Sequence, residues 1–532
     1  MLSLEYKYKD RGSIFRMRKS IKERITECET IEDLLQISKI YYLNIPIDKR
    51  SVIFNQLIFQ RKMNSEDVYL SLKLTTNLAL LFMSYSFKKK KFTFLGHNKR
   101  VSEEILVFRM FVMKFHELYT NQQTQQMLDS DGEFFSTFLN FHFHYPSISA
   151  GDYLEMFSIF EELAKKIYGF SIYDISKLLL FFTSDTRQNS NGEIVDLTND
   201  WIDREQMNRI FSGKPPTEIL SGLFMDSSEI NPDKVYPTDI PKIFKGKIGI
   251  AFENGYFIPQ SQFIFEYILR HLIENEESNN VKGDILEDHV EEIFADFFGE
   301  ESVFKKYFDE QGNEQDIFVR CGDIVLAVEC KAQDFKEVYR NKDQAVNRLN
   351  RHFNKIIKHA CKQCDRVKKN IVNNKSVIYY DSKDKKSRKK KIDISDTSKI
   401  RVLKVVVTLD DYLNLSESPH EFLDIEYKDT WIVNIFNLKR ILWISQKEQF
   451  IEYIQYRTSL IETISSINSD ELEQYGYFVS PNFGFYPPNN IGISISLRSG
   501  FSKVFDLYDD YSNNKEMKKL DNYLYDLISK NL

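Results

Sequence analysis

Three residues define the chemistry this chain could perform: Asp316, Glu329 and Lys331. The first lies in Glu314-Gln315-Asp316, where a run extending to Arg320 begins, and the other two close the apolar run Ile324–Lys331. Gly322-Asp323 separates the runs, and glycine at the first central position of a two-residue turn suits a type II′ hairpin. In that register Asp316 stands opposite Glu329, and Glu314 opposite Lys331. Cross-strand partners keep their Cβ atoms about 4.5–5.5 Å apart and alternate residues share a face, so these four side chains are expected on one patch. Ile317, Val319, Ile324, Leu326 and Val328 fall on the other, apolar side. Two carboxylates at that distance repel each other in a partly dry site unless a cation stands between them. Mg2+ takes such oxygen ligands with water and substrate phosphate, so Asp316, Glu329 and the backbone carbonyl of Cys330 form the expected set, with Mn2+ able to substitute. Lys331 beside it would orient or help deprotonate an attacking water and stabilise charge building up on phosphorus. That is the chemistry of phosphodiester hydrolysis.

The elements that must position these residues follow from periodicity. A helix over 284–298 places Leu286, Val290, Ile293, Phe294 and Phe297 inward, with Gly299 as its stop signal. A long helix from about Asp343 to Lys369 carries the apolar stripe Val346, Leu349, Phe353, Ile356, Ala360, Cys364 and Val367. Strands over 376–380 and 402–409 are expected to close the sheet.

At these residues the chain resembles the PD-(D/E)XK (restriction-endonuclease-like) nuclease superfamily, closest to its Mrr-like and nuclease-related group. The matching segments are Gly283-Asp-Ile-Leu-Glu287, Glu314-Gln-Asp316 and Ala327-Val-Glu329-Cys-Lys331-Ala. The resemblance covers roughly residues 283–410. It implies an αβββαβ core with a mixed sheet flanked by helices, metal binding by Asp316 and Glu329, a supporting role for Glu287 in the metal site, and catalysis by Lys331. Gln344 stands where some relatives place a glutamine near the active site. Gln315 replaces the proline of the nominal motif. Glu-x-Lys alone is a poor signal, because Glu5-Tyr-Lys7, Glu426-Tyr-Lys428 and Glu516-Met-Lys518 share it. What separates Glu329/Lys331 is an apolar strand, a tight hairpin and an aligned Asp.

Two basic surfaces could meet nucleic acid. One is the helix side opposite the apolar stripe, with Arg348, Arg351, Lys355, Lys362 and Arg366; the other is the run Lys383–Lys391, with Lys385, Lys386 and Arg388, expected as a hairpin tip or loop. The net charge of -6 requires any such contact to be a local patch. Cys361-Lys-Gln-Cys364 has the spacing of half a zinc site, but no second ligand pair accompanies it, and both residues fall on or beside the buried stripe, which favours packing. No P-loop, dinucleotide turn or GxSxG elbow is present.

With 532 residues, 42% hydrophobic and 14% aromatic, the chain is long enough for several cores. Four segments are expected: a mainly helical N-terminal domain over 1–245, with a substrate, partner or assembly role; a hairpin and helix connection over 246–282, signalled by Glu253-Asn254-Gly255; the α/β nuclease domain over 283–445; and a small α+β region over 446–532. Five cysteines give no disulfide framework, the N-terminus lacks the apolar core of a signal peptide and no apolar run is long enough for a membrane span, so a cytoplasmic protein is expected. The leading expectation is a Mg2+-dependent DNA endonuclease, acting in prokaryotic restriction or antiphage defence by analogy with the family, possible as a homodimer or with a protein partner through the N-terminal region. A nuclease-fold binding or assembly module, or a gated nuclease acting on RNA, remains the alternative.

Overall fold

In the computed structural model the described residues are 21–63, 71–85, 99–127, 150–169, 171, 186–188, 194–197, 202–205, 222–259, 263–278, 281–333, 347–348, 351–412, 416, 419, 427–463, 466–480, 494–496, 500–512, 514–515 and 518. They form a mixed α/β protein that divides into two compact units.

The first unit takes the described residues up to 127 and those between 168 and 269. Helices Ile31–Tyr42, Ile47–Met63, Leu72–Met83 and Lys99–Met127 bury an aromatic cluster of Tyr42, Phe54, Phe82, Phe108 and Phe111. Helical periodicity foretold this part. The expected hairpin forms as Gly249–Phe252 and Gly255–Phe257, but Phe252 pairs with Gly255, so Glu253-Asn254 make the turn and the glycine opens the second strand.

The second unit takes residues 150–167 and those from 270 onward. Residues 150–167, which the sequence assigns to the N-terminal domain, therefore belong with the segment that bears the candidate site, and the hairpin assigned to a connection belongs to the first unit. The reason lies in buried charge: Arg440 meets Asp152 at 2.6 Å with both side chains essentially inaccessible, and Lys439 pairs with Glu155. Such charges are stable only when matched, so the two stretches fold together.

A seven-stranded mixed sheet organises this unit. Its strands are β1 (Val303–Phe308), β2 (Glu314–Cys321), β3 (Ile324–Lys331), β4 (Val377–Tyr380), β5 (Lys390–Ile394), β6 (Arg401–Thr408) and β7 (Thr430–Asn434), in the order β5-β4-β1-β2-β3-β6-β7. Helix α1 (Lys282–Phe298) packs on β1, β2 and β3, and α2 (His359–Asn373) on β3 and β6. The β2–β3 turn has Gly322 at φ 59°, and among the described residues only Lys306 is a non-glycine with positive φ, so Asp323 has the negative φ of a type II′ turn. Three strands escaped the sequence reading. In β1 the pair Lys305-Lys306 breaks the apolar alternation, β5 begins inside the lysine run, and β7 is a short apolar run that periodicity alone cannot assign.

One expectation fails for the whole sheet. The β2–β3 hairpin was expected to bury one face only, but Phe318, Val325 and Ala327 are as buried as Ile317, Leu326 and Val328. Lys305, in register with Ile317, pairs with Asp288 of α1, which places α1 over the Val328 side; Lys404, in register with Ala327, pairs with Asp365 of α2 at 3.4 Å, which places α2 over the other. Parallel pairing of β3 with β6 brings a helical crossover with it, and both faces are covered. The chemistry is thus confined to the end of the sheet. No helix among the described residues is long and apolar enough to cross a membrane.

Candidate functional site

The site lies where β2 parts from β3. Their ladder follows the expected register from Cys321↔Ile324 to Ile317↔Val328 and stops there. One residue on, the carboxylates replace backbone partners: Asp316 N donates to Glu329 Oε1 at 3.4 Å, and Cys330 N donates to Asp316 Oδ2 at 2.8 Å. On its other edge β3 stays paired with β6 as far as Lys331↔Thr408, and Leu409 N donates to the Lys331 carbonyl. Neighbouring residues in a strand aim their amides and carbonyls at opposite edges. The Cys330 carbonyl therefore shares the edge of its own N–H, facing Asp316. The Cys330 side chain is buried, and burial pushes its thiol pKa well up.

Lys331 closes the cluster, with Nζ 3.2 Å from Glu329 Oε2 and 3.7 Å from Asp316 Oδ2. Glu329 is 1% exposed, and burial followed by the charge of Asp316 pushes its pKa well above the usual carboxylate range. Burial works against the ammonium of Lys331, but Glu329 and Asp316 outweigh it and its pKa is raised. Glu287, half-buried on α1, is pushed up to about 7 by burial and then by Asp316 and Asp284, so it is near enough to feel the Asp316 charge. Three carboxyls thus face more negative charge than one lysine can balance.

That surplus is the test of whether a divalent cation suits the residues present. The donors are oxygens, as Mg2+ prefers, and two of the three carboxyls have their pKa pushed up by burial and then by the charge of Asp316, which a cation would relieve. Among the described residues no three His, Cys, Asp or Glu side chains converge tightly enough to form a metal cluster, because Asp316 and Glu329 are turned onto amides and Lys331. The donor set fits in kind, and gripping an ion requires these side chains to let go of their present partners.

Other expected site residues lie elsewhere. Glu314 does not meet Lys331; with the strands parted it pairs across β1 with Phe308 and forms a 3.5 Å ion pair with Lys306. Gln344 lies outside the described residues. The apolar stripe of the long helix is buried at Phe353, Ile356, Ala360, Cys364 and Val367, joined by Ile357, Cys361 and Ile371, while Val346 and Leu349 are outside what is described. Arg351, Lys355 and Lys362 are exposed, and Arg348 and Arg366 half-buried. On the helix proper these cations point away from the sheet that carries the carboxylates. Cys361 and Cys364 face β6 and β7, Cys364 Sγ lying 3.5 Å from the Val405 carbonyl, as packing requires. Lys385 and Lys386 sit exposed in the β4–β5 loop; Arg388 is half-buried, with its guanidinium 3.6 Å from the centre of the Tyr380 ring.

Two neighbours of the site were not singled out in the sequence. Tyr307, fully buried on β1, has its hydroxyl pKa pushed up by burial and by Tyr379, with Glu329 and Asp316 contributing. Lys306, beside it, adopts φ 51° and drops out of the ladder where Asp316 would oppose it. Neither has a sequence signal, since a lysine pair and a tyrosine in a strand are ordinary. No family model matches this chain, and no curated protein or solved structure does so.

Proposed function

We propose that this chain is a Mg2+-dependent nuclease of the PD-(D/E)XK type, hydrolysing phosphodiester bonds as a DNA endonuclease in prokaryotic restriction or antiphage defence. The supporting observation is the Lys331 ammonium placed between Asp316 and Glu329 where β2 parts from β3. Asp316 and Glu329 would hold the ion, with the Cys330 carbonyl on the same edge and Glu287 in support. Bound magnesium would supply charge neutralisation and a more acidic water. Lys331, released from the carboxylates it now bridges, orients the attacking water and offsets the charge that develops on the phosphoryl oxygens. Until an ion binds, Glu329 and Asp316 hold that lysine beside the site. Exposed lysines of the unit carry the nucleic-acid backbone.

The test is cleavage of plasmid, linear duplex, single-stranded DNA and RNA with Mg2+, Mn2+ or EDTA, comparing wild type with Lys331→Ala. Metal-dependent cutting that falls at least about 100-fold in the variant is the expected result. Cutting of RNA alone would transfer the reading to a ribonuclease; no turnover on any substrate with either metal would remove it.

A further inference from the structure

We propose that the tip of the β4–β5 hairpin, and not the outward face of α2, is the surface that grips nucleic-acid phosphates beside the carboxylates. The inference rests on the nuclease reading for its choice of partner, and on geometry for its choice of surface.

The loop between Tyr380 and Lys390 is a built structure. Asp381 and Lys389 close its neck, with Asp381 N donating to the Lys389 carbonyl at 3.1 Å and Lys389 N to Asp381 Oδ1 at 2.7 Å. Asp384 organises the tip, accepting from Lys386 N at 3.1 Å and from the Ser387 hydroxyl at 2.8 Å. Its one carboxylate is thereby spent on the loop's own backbone and hydroxyl. Arg388 then clamps the loop to the sheet, stacking on Tyr380 and donating from Nη1 to the Glu310 carbonyl at 3.0 Å. Arg388, expected to bind phosphate, acts here as a positioning residue.

The clamp fixes where the lysines stand. Glu310 belongs to the turn that leads into β2, and the Lys383 backbone comes within 4 Å of the place a Cβ on Gly312 would occupy. Four residue steps lead from Gly312 to Asp316, so with at most about 3.6 Å per step the Lys383 backbone is tethered within roughly 15–20 Å of Asp316. That is about five base-pair rises along a duplex. Lys383, Lys385, Lys386 and Lys389 are all exposed, and among the described residues none has a carboxylate at ion-pair distance, whereas Lys390 pairs with Asp393. On the helix side Lys368 and Lys369 are matched by Asp429 and Asp365; Lys355 and Lys362 are exposed without such a partner among the described residues, but Lys362 and Arg366 lie on the side turned from the sheet. Unmatched lysines on a fixed tip at the site's end of the sheet suit a regularly spaced polyanion.

The test is fluorescence anisotropy of a duplex of about 30 base pairs in EDTA between about 50 and 200 mM salt, using wild type, a Lys383→Ala/Lys385→Ala/Lys386→Ala/Lys389→Ala variant and a Lys355→Ala/Lys362→Ala/Arg366→Ala variant. The loop variant should show a log–log salt slope shallower by about 3–4, and the helix variant the wild-type slope. Equal slopes for wild type and loop variant overturn the proposal, as does loss of binding to phosphatidylserine vesicles with duplex binding unchanged. Arg388→Lys keeps the charge and loses the stack; it should weaken duplex binding several-fold and speed amide exchange across 382–388, and unchanged exchange removes its positioning role. Because binding is read without turnover, the outcomes separate: cleavage by wild type with equal slopes sinks the hairpin surface alone, and a changed slope without any cleavage sinks the nuclease reading alone.

Discussion

Lys331 holds two carboxylates together at a depth where burial, followed by the charge of Asp316, pushes the Glu329 pKa well above the usual carboxylate range. Removing one partner of such a buried cluster costs more than removing both, because the survivor keeps its desolvation penalty without its counter-charge. Lys331→Met is therefore expected to lower stability by about 3 kcal/mol in metal-free buffer, and adding Glu329→Gln should restore most of it. Urea denaturation of the two variants decides this: equal losses in single and double mutants would mean that the ammonium does not balance Glu329. The pairing of Asp316 with Glu329 was legible in the sequence because a two-residue turn leaves little choice of register. The exchange of carboxylate for backbone partners was not, since it depends on β2 leaving β3 at Ile317.

At the level of elements, β1 contains the unusual backbone. Lys306 adopts φ 51° in the middle of a strand, a conformation that costs a side-chain-bearing residue about 1 kcal/mol or more. Its ion pair with Glu314 is half-exposed at both ends and returns little of that. Lys306→Gly should stabilise the protein by about 1 kcal/mol in chemical denaturation, and a loss instead would show that the side chain, not the backbone, is what the strand needs. A second element carries a pH signature. Asp470 caps the helix Glu471–Phe478, accepting from Glu473 N at 2.8 Å, and burial raises its pKa to about 6. From about pH 4 to 6 the unfolded chain has lost this proton while the native chain keeps it, so the carboxyl's contribution is complete below pH 4 and lost as pH rises through 6. Asp470→Asn keeps the cap without titrating. Over that window wild type should lose on the order of 1 kcal/mol more than the variant in urea melts; parallel pH profiles would remove Asp470 as the cause.

For the molecule as a whole, the division into two units cuts across the order of the chain. Residues 150–167 reach the second unit through Asp152 and Glu155, which neutralise Arg440 and Lys439. Asp152→Ala leaves Arg440 buried with Asp509 as its remaining carboxylate at 2.9 Å, and about 3 kcal/mol of stability should be lost. Thermal denaturation of the full-length variant measures it, and an unchanged midpoint would mean that these residues merely lie against the unit.

The sequence by itself determined the local facts: the type II′ turn, the register that sets Asp316 against Glu329, the stripe on α2 and the stop at Gly299. Each follows from chain stereochemistry or from the 2.0 and 3.6 residue periods, which act over a few residues. Tertiary structure decided the rest. It covered both faces of the sheet, separated Glu314 from Lys331, drew residues 150–167 to Arg440 and clamped the lysine-rich loop beside the site through Arg388. These outcomes depend on which distant groups become buried together, and the cost of burying charge or an unpaired amide is fixed only once the partner from elsewhere in the chain has arrived.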